Sequence, residues 1–431
     1  MTTPDQPAPP PPTPGIPPRV PAPAPSSFVA LQHRNFRLLW AGQLVSFSGT
    51  MMQSAAILWH VSLLVPDNRK GLALGMVGLV RIVPIIAFSL VSGVAADVLD
   101  RRKLMLVTQT VMAAFAGILA LLTFRGLHAV WPIYLLAALG SAAAAFDGPA
   151  RQSLIPNLVP REHLANAISL NTIMSQLASV AGPSLAGAVI ALAGVGWAYL
   201  FNAASFLVVI AALLAMRHVK AAGGAQPTEM SLHAALEGLR FVFFADMIRA
   251  TMLLDFFATF FSSATALLPI FAQDILHVGA RGYGWLYAAP SVGALVASGG
   301  MVRLVERIDR RGRVLLWAVC AYGAATVVFG VSRSFWLTFG CLALTGAADT
   351  VSMVLRNIIR QMTTPDRLRG RMTSVNMIFF MGGPQLGELE AGLVANWFGA
   401  TVSVVSGGLG CLVATLVVAA TTPALRQYRR E

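Results

Sequence analysis

Residues 147–192 read DGPARQSLIPNLVPREHLANAISLNTIMSQLASVAGPSLAGAVIAL, and much of this pattern recurs 205 positions later in the 431-residue chain. The recurrence pairs polar, glycine and proline positions: Arg151 with Arg356, Pro160 with Pro365, Ser169 with Ser374, Asn171 with Asn376, Gly182 with Gly387, and Gly187 with Gly392. A second register, 209 residues apart, aligns Gly75 with Gly284 and Asp100-Arg101-Arg102 with Asp309-Arg310-Arg311. We therefore predict two homologous halves, an arrangement typical of transporters when each half is a membrane bundle.

The composition indicates a membrane protein. Hydrophobic residues make up 56% of the chain and charged residues only 11%, whereas soluble domains carry about 25% charged residues. Apolar runs of about 20 residues match the length that a helix needs to cross ~30 Å of hydrocarbon. We predict an all-α membrane protein with about twelve transmembrane helices in two pseudo-symmetric six-helix bundles, the spans being 36–64, 71–97, 104–124, 130–149, 165–193, 197–216, 247–273, 282–304, 314–331, 335–355, 371–396 and 400–420.

The distribution of basic residues predicts the orientation. Most of the 31 Lys and Arg residues fall in the terminal tails and the even-numbered loops, including a run at 356–371. The exceptions are Arg69, Lys70, Arg125, Arg281 and Arg333 in odd-numbered loops, and Arg81 inside a span. By the positive-inside tendency both termini are cytoplasmic. The formal charge of +13 then reflects topology and contact with anionic lipid, and we expect no nucleic-acid partner.

The segments outside the bundles divide the chain. Residues 1–25 contain twelve prolines, so residues 1–30 are predicted to be a disordered cytoplasmic tail with polyproline II character, either passive or docking a partner. Residues 31–216 form the first bundle and residues 246–422 the second. The cytoplasmic linker 217–245 ends in a predicted amphipathic surface helix over 231–245, and residues 423–431 form a short cytoplasmic tail.

The chain carries no sign of enzymatic chemistry. It has no Gly-rich nucleotide loop, no nucleophile elbow and no HExxH helix. Its three cysteines, at 320, 341 and 411, lie in predicted spans without a pairing pattern or a neighbouring His cluster. We expect no enzyme, no cofactor and no metal, so any transport would be driven by an ion gradient.

Several motifs resemble those of the major facilitator superfamily. The run Gly93-Val-Ala-Ala-Asp97-Val-Leu-Asp100-Arg101-Arg-Lys103 is similar to the superfamily's loop motif between its second and third helices. The runs 146–156, 160–166, 364–371 and 387–392 resemble the enterobactin-exporter and macrolide-efflux branch, known as drug:proton antiporters of the third type. The resemblance covers nearly everything after residue 30. It implies two six-helix bundles that export a small molecule, and it does not separate siderophores from drugs.

The resemblance also implies gating residues. In the family's pattern Asp97 and Arg101 hold the cytoplasmic gate shut, with Asp147 and Arg151 as the matching cluster below the fourth span. A carboxylate at the end of a helix beside a basic run is suited to such contacts. Val98 and Asp100 stand where Arg and Gly are usual, so the charge network is expected to differ here.

The fifth span resembles the signature of exporters. Residues 178–187 carry Gly182, Pro183 and Gly187 at the positions of that antiporter motif, with Ala178 and Ala186 where the motif has Gly. Small residues let helices approach closely, and proline permits a bend. Ordinary helix packing is the alternative explanation.

Ionisable residues inside spans are the candidates for proton coupling or substrate binding, because a charge in hydrocarbon is costly without a partner or a cavity. They are Arg81, Asp255, Asp349, Glu388 and Glu390. Two residues of a helix turn through about 200°, so Glu388 and Glu390 face different ways. We expect Glu388 to face the cavity, and Glu390 to pair with a neighbouring helix or to serve packing. Asp255 and Asp349 are equally interpretable as helix-end carboxylates near the headgroups.

These observations predict a monomeric inner-membrane exporter of an amphipathic small molecule, driven by proton antiport. Two bundles would rock about a central site, and a carboxyl that binds a proton on one side and releases it on the other would couple proton entry to substrate exit. Two alternatives remain open. One is a membrane sensor or assembly subunit on a transporter fold, and the other is a nutrient importer.

Overall fold

Twelve principal helices make up most of the protein. The computed structural model describes residues 28–217, 245–261, 263–365 and 368–430. The helices are α1 Arg34–Leu64, α2 Lys70–Val98, α3 Arg101–Phe124, α4 Trp131–Leu154, α5 Leu164–Ala193, α6 Val195–Ala215, α7 Asp246–Phe261, α8 Gly279–Leu304, α9 Arg311–Val331, α10 Phe335–Thr363, α11 Arg369–Phe398 and α12 Ala400–Thr421. The predicted Pro-rich tail and the predicted amphipathic helix fall almost wholly outside the described residues.

The predicted fold class, an all-helical membrane protein of about twelve helices, is confirmed. Ten helical segments in the described parts of the chain are long and apolar enough to cross a membrane. The helices α1 and α11 have a comparable length but are not among the ten. Polar residues such as Gln43, Ser46 and His60 lower the hydropathy of α1, and all three are buried inside the protein rather than exposed to lipid.

The seventh predicted span, 247–273, is not one continuous helix. The helix α7 ends at Phe261, and the chain continues through a 3₁₀ turn at Ala264–Leu267, a helical turn at Leu268–Ile270 and a π-helical turn at Phe271–Ile275. Pro269 lacks an N–H donor and so removes one backbone hydrogen bond here, but α2, α5 and α11 each continue through a proline, so the proline alone does not explain the interruption. The Ser263 hydroxyl donates to the carbonyl oxygen of Pro384 on α11 at 2.9 Å, which anchors the break.

The tenth span is longer than predicted, because α10 continues to Thr363 rather than ending near residue 355. The prediction assigned Arg356 and Arg360 to a basic loop, and that assignment was wrong. Both side chains are only 2% exposed and lie inside the second bundle. Their carboxylate partner is on α7, about a hundred residues away in sequence, so the local pattern could not indicate their burial.

The halves meet along two helix pairs, α2 with α11 and α5 with α8. At each seam glycine backbones touch. A Cβ added to Gly392 would lie 2.6 Å from the Cα of Gly75, and one added to Gly284 would lie 2.7 Å from the Cα of Gly187. These four positions are the ones that the two sequence registers relate to each other, so the seams are pseudo-symmetric copies. Small residues at these positions allow the close backbone packing that joins helices in lipid.

The seams close one end of the molecule. The first turns of α2 pack against the last turns of α11, and the last turns of α5 pack against the first turns of α8. Both seams therefore lie at the end opposite the described termini, which we call the far end. Towards the termini-bearing end, the first half of α5 is buried along one stripe only, whereas its hydroxyl residues Ser169 and Thr172 are exposed. Both hydroxyls donate to carbonyl oxygens within α5, Ser169 to Ala165 at 3.0 Å and Thr172 to Ile168 at 3.1 Å.

Candidate functional site

Contacts between the halves seal the far end. Lys70 at the start of α2 lies 3.2 Å from the carboxylate of Asp274 in the second half. Gln273 donates to the Ser62 hydroxyl at 2.7 Å, and Tyr283 donates to the carbonyl oxygen of Ala55 at 2.8 Å. These contacts join α1 and α2 to the end of the interrupted seventh span and to α8. The two halves are therefore in direct contact at the far end.

A cation and a carboxylate from opposite halves, Arg81 and Glu388, lie at the same distance from the far end. Arg81 is eleven residues from the start of α2 and Glu388 is ten residues before the end of α11, so at 1.5 Å per residue each lies about 15 Å from the far end. The Glu388 carboxylate packs on the α2 backbone, since a Cβ added to Gly78 would lie 2.8 Å from its Oε2. Arg81 is close enough to Glu388 to act on it electrostatically.

Neither charge is directly neutralised by a partner. Among the residues that the structure describes, neither Arg81 nor Glu388 has a hydrogen bond or an ion pair within 4.0 Å. Both side chains are partly exposed. An unpaired cation beside an unpaired carboxylate at mid-membrane depth is costly unless water or a ligand reaches it. The pair is therefore available to bind a polar part of a ligand and to exchange a proton.

The sequence analysis missed the tyrosines that complete this site. Tyr287 on α8 is close enough to both Arg81 and Glu388 to interact electrostatically with them. Tyr283 lies one turn away on the same face of α8 and packs against Trp59 in a tilted arrangement, with ring centroids 5.1 Å apart. Their i, i+4 spacing inside an apolar span was a usable signal, because it places two hydroxyls on one helix face.

The structure also locates Glu390 and His60. Glu390 is partly exposed and has no ion pair or hydrogen bond to a described residue, so a partner for it on a neighbouring helix is not seen. His60 is buried and lies 3.2 Å from the Tyr199 hydroxyl. That contact matches the packed, hydrogen-bonded histidine that is common inside helical proteins.

Asp255 lies in a buried ion network rather than near the headgroups. Its two carboxylate oxygens contact Arg356 at 2.9 Å and Arg360 at 3.3 Å. Arg356 also reaches Asp349 at 3.3 Å. Two guanidinium groups and two carboxylates therefore balance each other inside the second half. Asp255 is 3% exposed and is fully engaged by the two arginines, which disfavours it as a proton carrier.

The first half has a counterpart of this network in which the partner of the arginine is uncharged. Arg151, the repeat equivalent of Arg356, donates to the Gln43 side-chain oxygen at 3.0 Å. Gln43 is nine residues into α1, as Asp255 is nine residues into α7. Asp147 instead accepts from Thr108 at 3.0 Å and from Gln109 at 2.9 Å, both on α3. The two predicted gate residues on α4 thus bind different helices.

The remaining gate residues are only partly visible. Arg101 donates to the carbonyl oxygen of Ser153 at 3.1 Å, which ties the start of α3 to the end of α4. Asp97 falls in α2, and its side chain lies outside the described residues. The predicted contact between these two residues therefore stays a prediction.

Residues of the antiporter motif contact two different helices. Gly182 packs on Ser48 and Met51 of α1, within its own half. Pro183 and Gly187 face α8, since a Cβ added to Gly284 would lie 2.7 Å from the Pro183 carbonyl oxygen. The motif therefore sits where α5 meets both α1 and the second half.

Comparison with known proteins fits this arrangement. Residues 25–429 match the family described as "Transmembrane secretion effector". The chain belongs to this family, within the major facilitator superfamily. It is 27% identical to the enterobactin exporter of Escherichia coli O1:K1 / APEC over 402 residues, covering 92% of this chain and 94% of the relative. The enterobactin exporter of Citrobacter koseri gives the same identity and coverage.

Solved transporters share the fold of this family member. A bacterial homologue of the iron transporter ferroportin aligns with a TM-score of 0.68 at 17% identity, over 92% of this chain and 99% of that one. A POT family transporter aligns with a TM-score of 0.71 at 11% identity, over 91% and 96%. The nucleoside transporter NupG aligns with a TM-score of 0.70 at 13% identity, over 91% and 99%. This family member is therefore a multi-pass membrane transporter and not an enzyme.

We predict that the buried network is required for stability. Asp255→Asn leaves two buried guanidinium groups without their shared counter-charge, which should cost about 3–5 kcal/mol and lower the melting temperature of the purified protein. Asp246→Asn is the matched control, because Asp246 is on the same helix and pairs with Arg249 in an exposed position. Such exposed pairs contribute less than about 1 kcal/mol. Equal melting temperatures for the two variants would contradict the structural role.

Proposed function

We propose that this chain exports an amphipathic small molecule of the siderophore type from the cytoplasm, in exchange for protons. The observation that carries the proposal is the placement of Arg81 and Glu388 on facing helices of the two halves, at the same membrane depth and with no direct partner among the described residues. A site shared between two bundles is the arrangement that alternating access requires. The similarity to enterobactin exporters over 92% of the chain supports a siderophore as the substrate class.

The orientation follows from the basic loops. Both termini would be cytoplasmic in the inner membrane, so the far end would face the periplasm. In this conformation the site would then be open to the cytoplasm through the hydroxyl-lined face of α5 and closed to the periplasm by the contacts of Lys70, Gln273 and Tyr283. A substrate made in the cytoplasm would enter here, and rocking of the halves would open the other end.

The chemistry of the site limits the substrate. Arg81 supplies a delocalised cation that binds anionic or electron-rich groups. Tyr287, which is partly exposed on α8, adds aromatic surface with a polar handle. Deprotonated Glu388 can only accept hydrogen bonds, so it selects a substrate with hydroxyl donors. An aromatic or amphipathic molecule that carries both hydroxyls and an acidic portion satisfies all three.

Coupling to protons arises from competition at Glu388. A substrate hydroxyl donates to the carboxylate only when the carboxylate is deprotonated. A proton arriving from the periplasm takes the same oxygens and weakens the substrate's hold, and its release to the cytoplasm restores the acceptor. Proton and substrate therefore exclude each other, which is the thermodynamic condition for antiport.

Export is tested by measuring the accumulation of labelled siderophores, macrolides, tetracyclines and dyes in cells with and without the protein. We expect siderophores bearing hydroxyl and acidic groups to accumulate less when the protein is present. Arg81→Gln should weaken export of the acidic compounds at matched membrane abundance, and Arg125→Gln, in the loop after α3, should leave it unchanged. Equal accumulation of every compound with and without the protein would contradict the proposal.

We predict that Glu388 carries the proton. Glu388→Gln mimics the protonated state, so this variant should bind substrate with little dependence on pH and fail to concentrate it in vesicles with an imposed pH difference. Glu390→Gln, two residues away on another face of α11, is the matched control and should keep pH-driven accumulation. Asp255→Asn and Asp349→Asn belong in the same assay. Normal pH-driven transport by Glu388→Gln, with loss in the Asp349→Asn variant, would reassign the coupling site.

A further inference from the structure

A second polar space lies inside the second half, apart from the Arg81–Glu388 pair. It is a cavity of about 120 Å³ between the interrupted seventh span, α8, α9 and α10. This is room for several water molecules, since one water needs about 10–15 Å³ of such volume. Its polar lining consists of Thr265, Tyr322, Thr326, Thr345 and Asp349. We propose that this cavity binds a small monovalent cation, either sodium or hydronium.

The hydroxyls of the cavity offer oxygen acceptors. Thr326 donates its hydroxyl proton to the carbonyl oxygen of Tyr322 at 2.9 Å, and Thr345 donates to that of Leu342 at 2.6 Å. Because these protons are used within their own helices, the oxygen lone pairs remain to face the cavity. Asp349 when ionised adds acceptors only. A lining of oxygen acceptors is the lining that a hard cation selects.

The carboxylate of Asp349, at the edge of the cavity, is only partly engaged by arginine. One oxygen of Asp349 contacts Arg356 at 3.3 Å, and 43% of its side chain is exposed. Asp255, by contrast, is 4% exposed at its side chain and has both oxygens engaged. Of the two acids in the network, only Asp349 therefore presents an oxygen to an occupant of the cavity.

The backbone at the cavity supports the same occupant. Ala264 and Thr265 line it from the 3₁₀ turn where the seventh span is interrupted. Unwound backbone within a membrane span is tolerated where it lines a cavity, and its carbonyl groups commonly coordinate sodium or protons in transporters. Pro290 of α8, which also lines the cavity, lacks an N–H and so adds no donor.

The charged side chains around the cavity favour an occupant that carries one positive charge. Asp349 faces Arg356 on α10 and Asp255 on α7. Tyr322 on α9 lines the same cavity, and Arg360 on α10 joins the network through Asp255. The two arginines and two aspartates already sum to zero. A divalent ion would leave two uncompensated charges inside the bundle, whereas a monovalent ion leaves one. We therefore expect weak, millimolar binding of a monovalent cation.

Binding is measurable on the full-length protein in detergent, without any substrate. The melting temperature is recorded in sodium chloride and in choline chloride at the same pH and ionic strength, and then from pH 8 to pH 5 in choline alone. We expect a saturable rise with sodium. If hydronium is the occupant, the sodium series is flat and the rise follows acidification instead. The cation site is independent of the proposed export. If no cation binds in the cavity, the proposed roles of Arg81 and Glu388 are unaffected.

Two valine variants make the assignment falsifiable. Thr345→Val removes one cavity oxygen at nearly constant shape and should raise the half-saturating concentration at least tenfold, for whichever cation responds. Thr415→Val is the matched control, because this buried threonine on α12 also donates to the carbonyl oxygen one turn earlier but does not line the cavity. It should respond like the unsubstituted protein. The proposal is overturned by the absence of both responses in the unsubstituted protein, or by equal responses in the two variants.

Discussion

The close approach of glycine backbones between the halves is the contact on which the rest of the structure depends. Lipid gives helices no hydrophobic reason to associate, so the two bundles are held by packing and by polar contacts. Gly75 against Gly392 and Gly187 against Gly284 bring the halves together at the far end. This apposition brings Arg81 and Tyr287 to Glu388 and lets Lys70 reach Asp274.

The halves repeat one framework but differ in charge. Each has an arginine on its fourth helix that binds a side chain nine residues into its first helix. In the first half this is Arg151 on Gln43, and in the second it is Arg356 on Asp255. The Arg151–Gln43 contact keeps the full charge of one guanidinium, which also lies 5.8 Å from the centroid of the Phe47 ring. Arg356 and Asp255 instead cancel each other's charge, and Arg360 and Asp349 join the same network. The charged side chains inside the second half are therefore paired with one another. Glu388 is the ionisable group that remains at the seam.

Much of the fold was predictable from local patterns, and less of the site. The repeat at 205 residues follows from a few glycines, prolines and one arginine, and the spacing of Glu388 and Glu390 alone places them on different helix faces. The burial of Arg356 and Arg360 was not predictable, because basic residues near the end of a span normally mark the membrane surface and their partner is remote in sequence. The interruption near Ser263 depends on a contact with α11, and the tyrosines of α8 become part of the site only through the packing of the two halves.

Locking the far end tests the central claim most directly. The side chains of Ser62 and Gln273 touch across the halves at 2.7 Å. Ser62→Cys with Gln273→Cys, in a background with Cys320, Cys341 and Cys411 replaced by serine, should be joined by oxidation through a short bifunctional thiosulfonate, which spans the length lost from the glutamine side chain and forms a reducible disulfide with each cysteine. Ser332→Cys with Thr338→Cys is the control, because those side chains touch at 2.9 Å within one half. If the halves alternate, oxidation stops substrate export in the first protein, a reductant restores it, and the control is unaffected. Undiminished export by the fully crosslinked first protein would contradict the account.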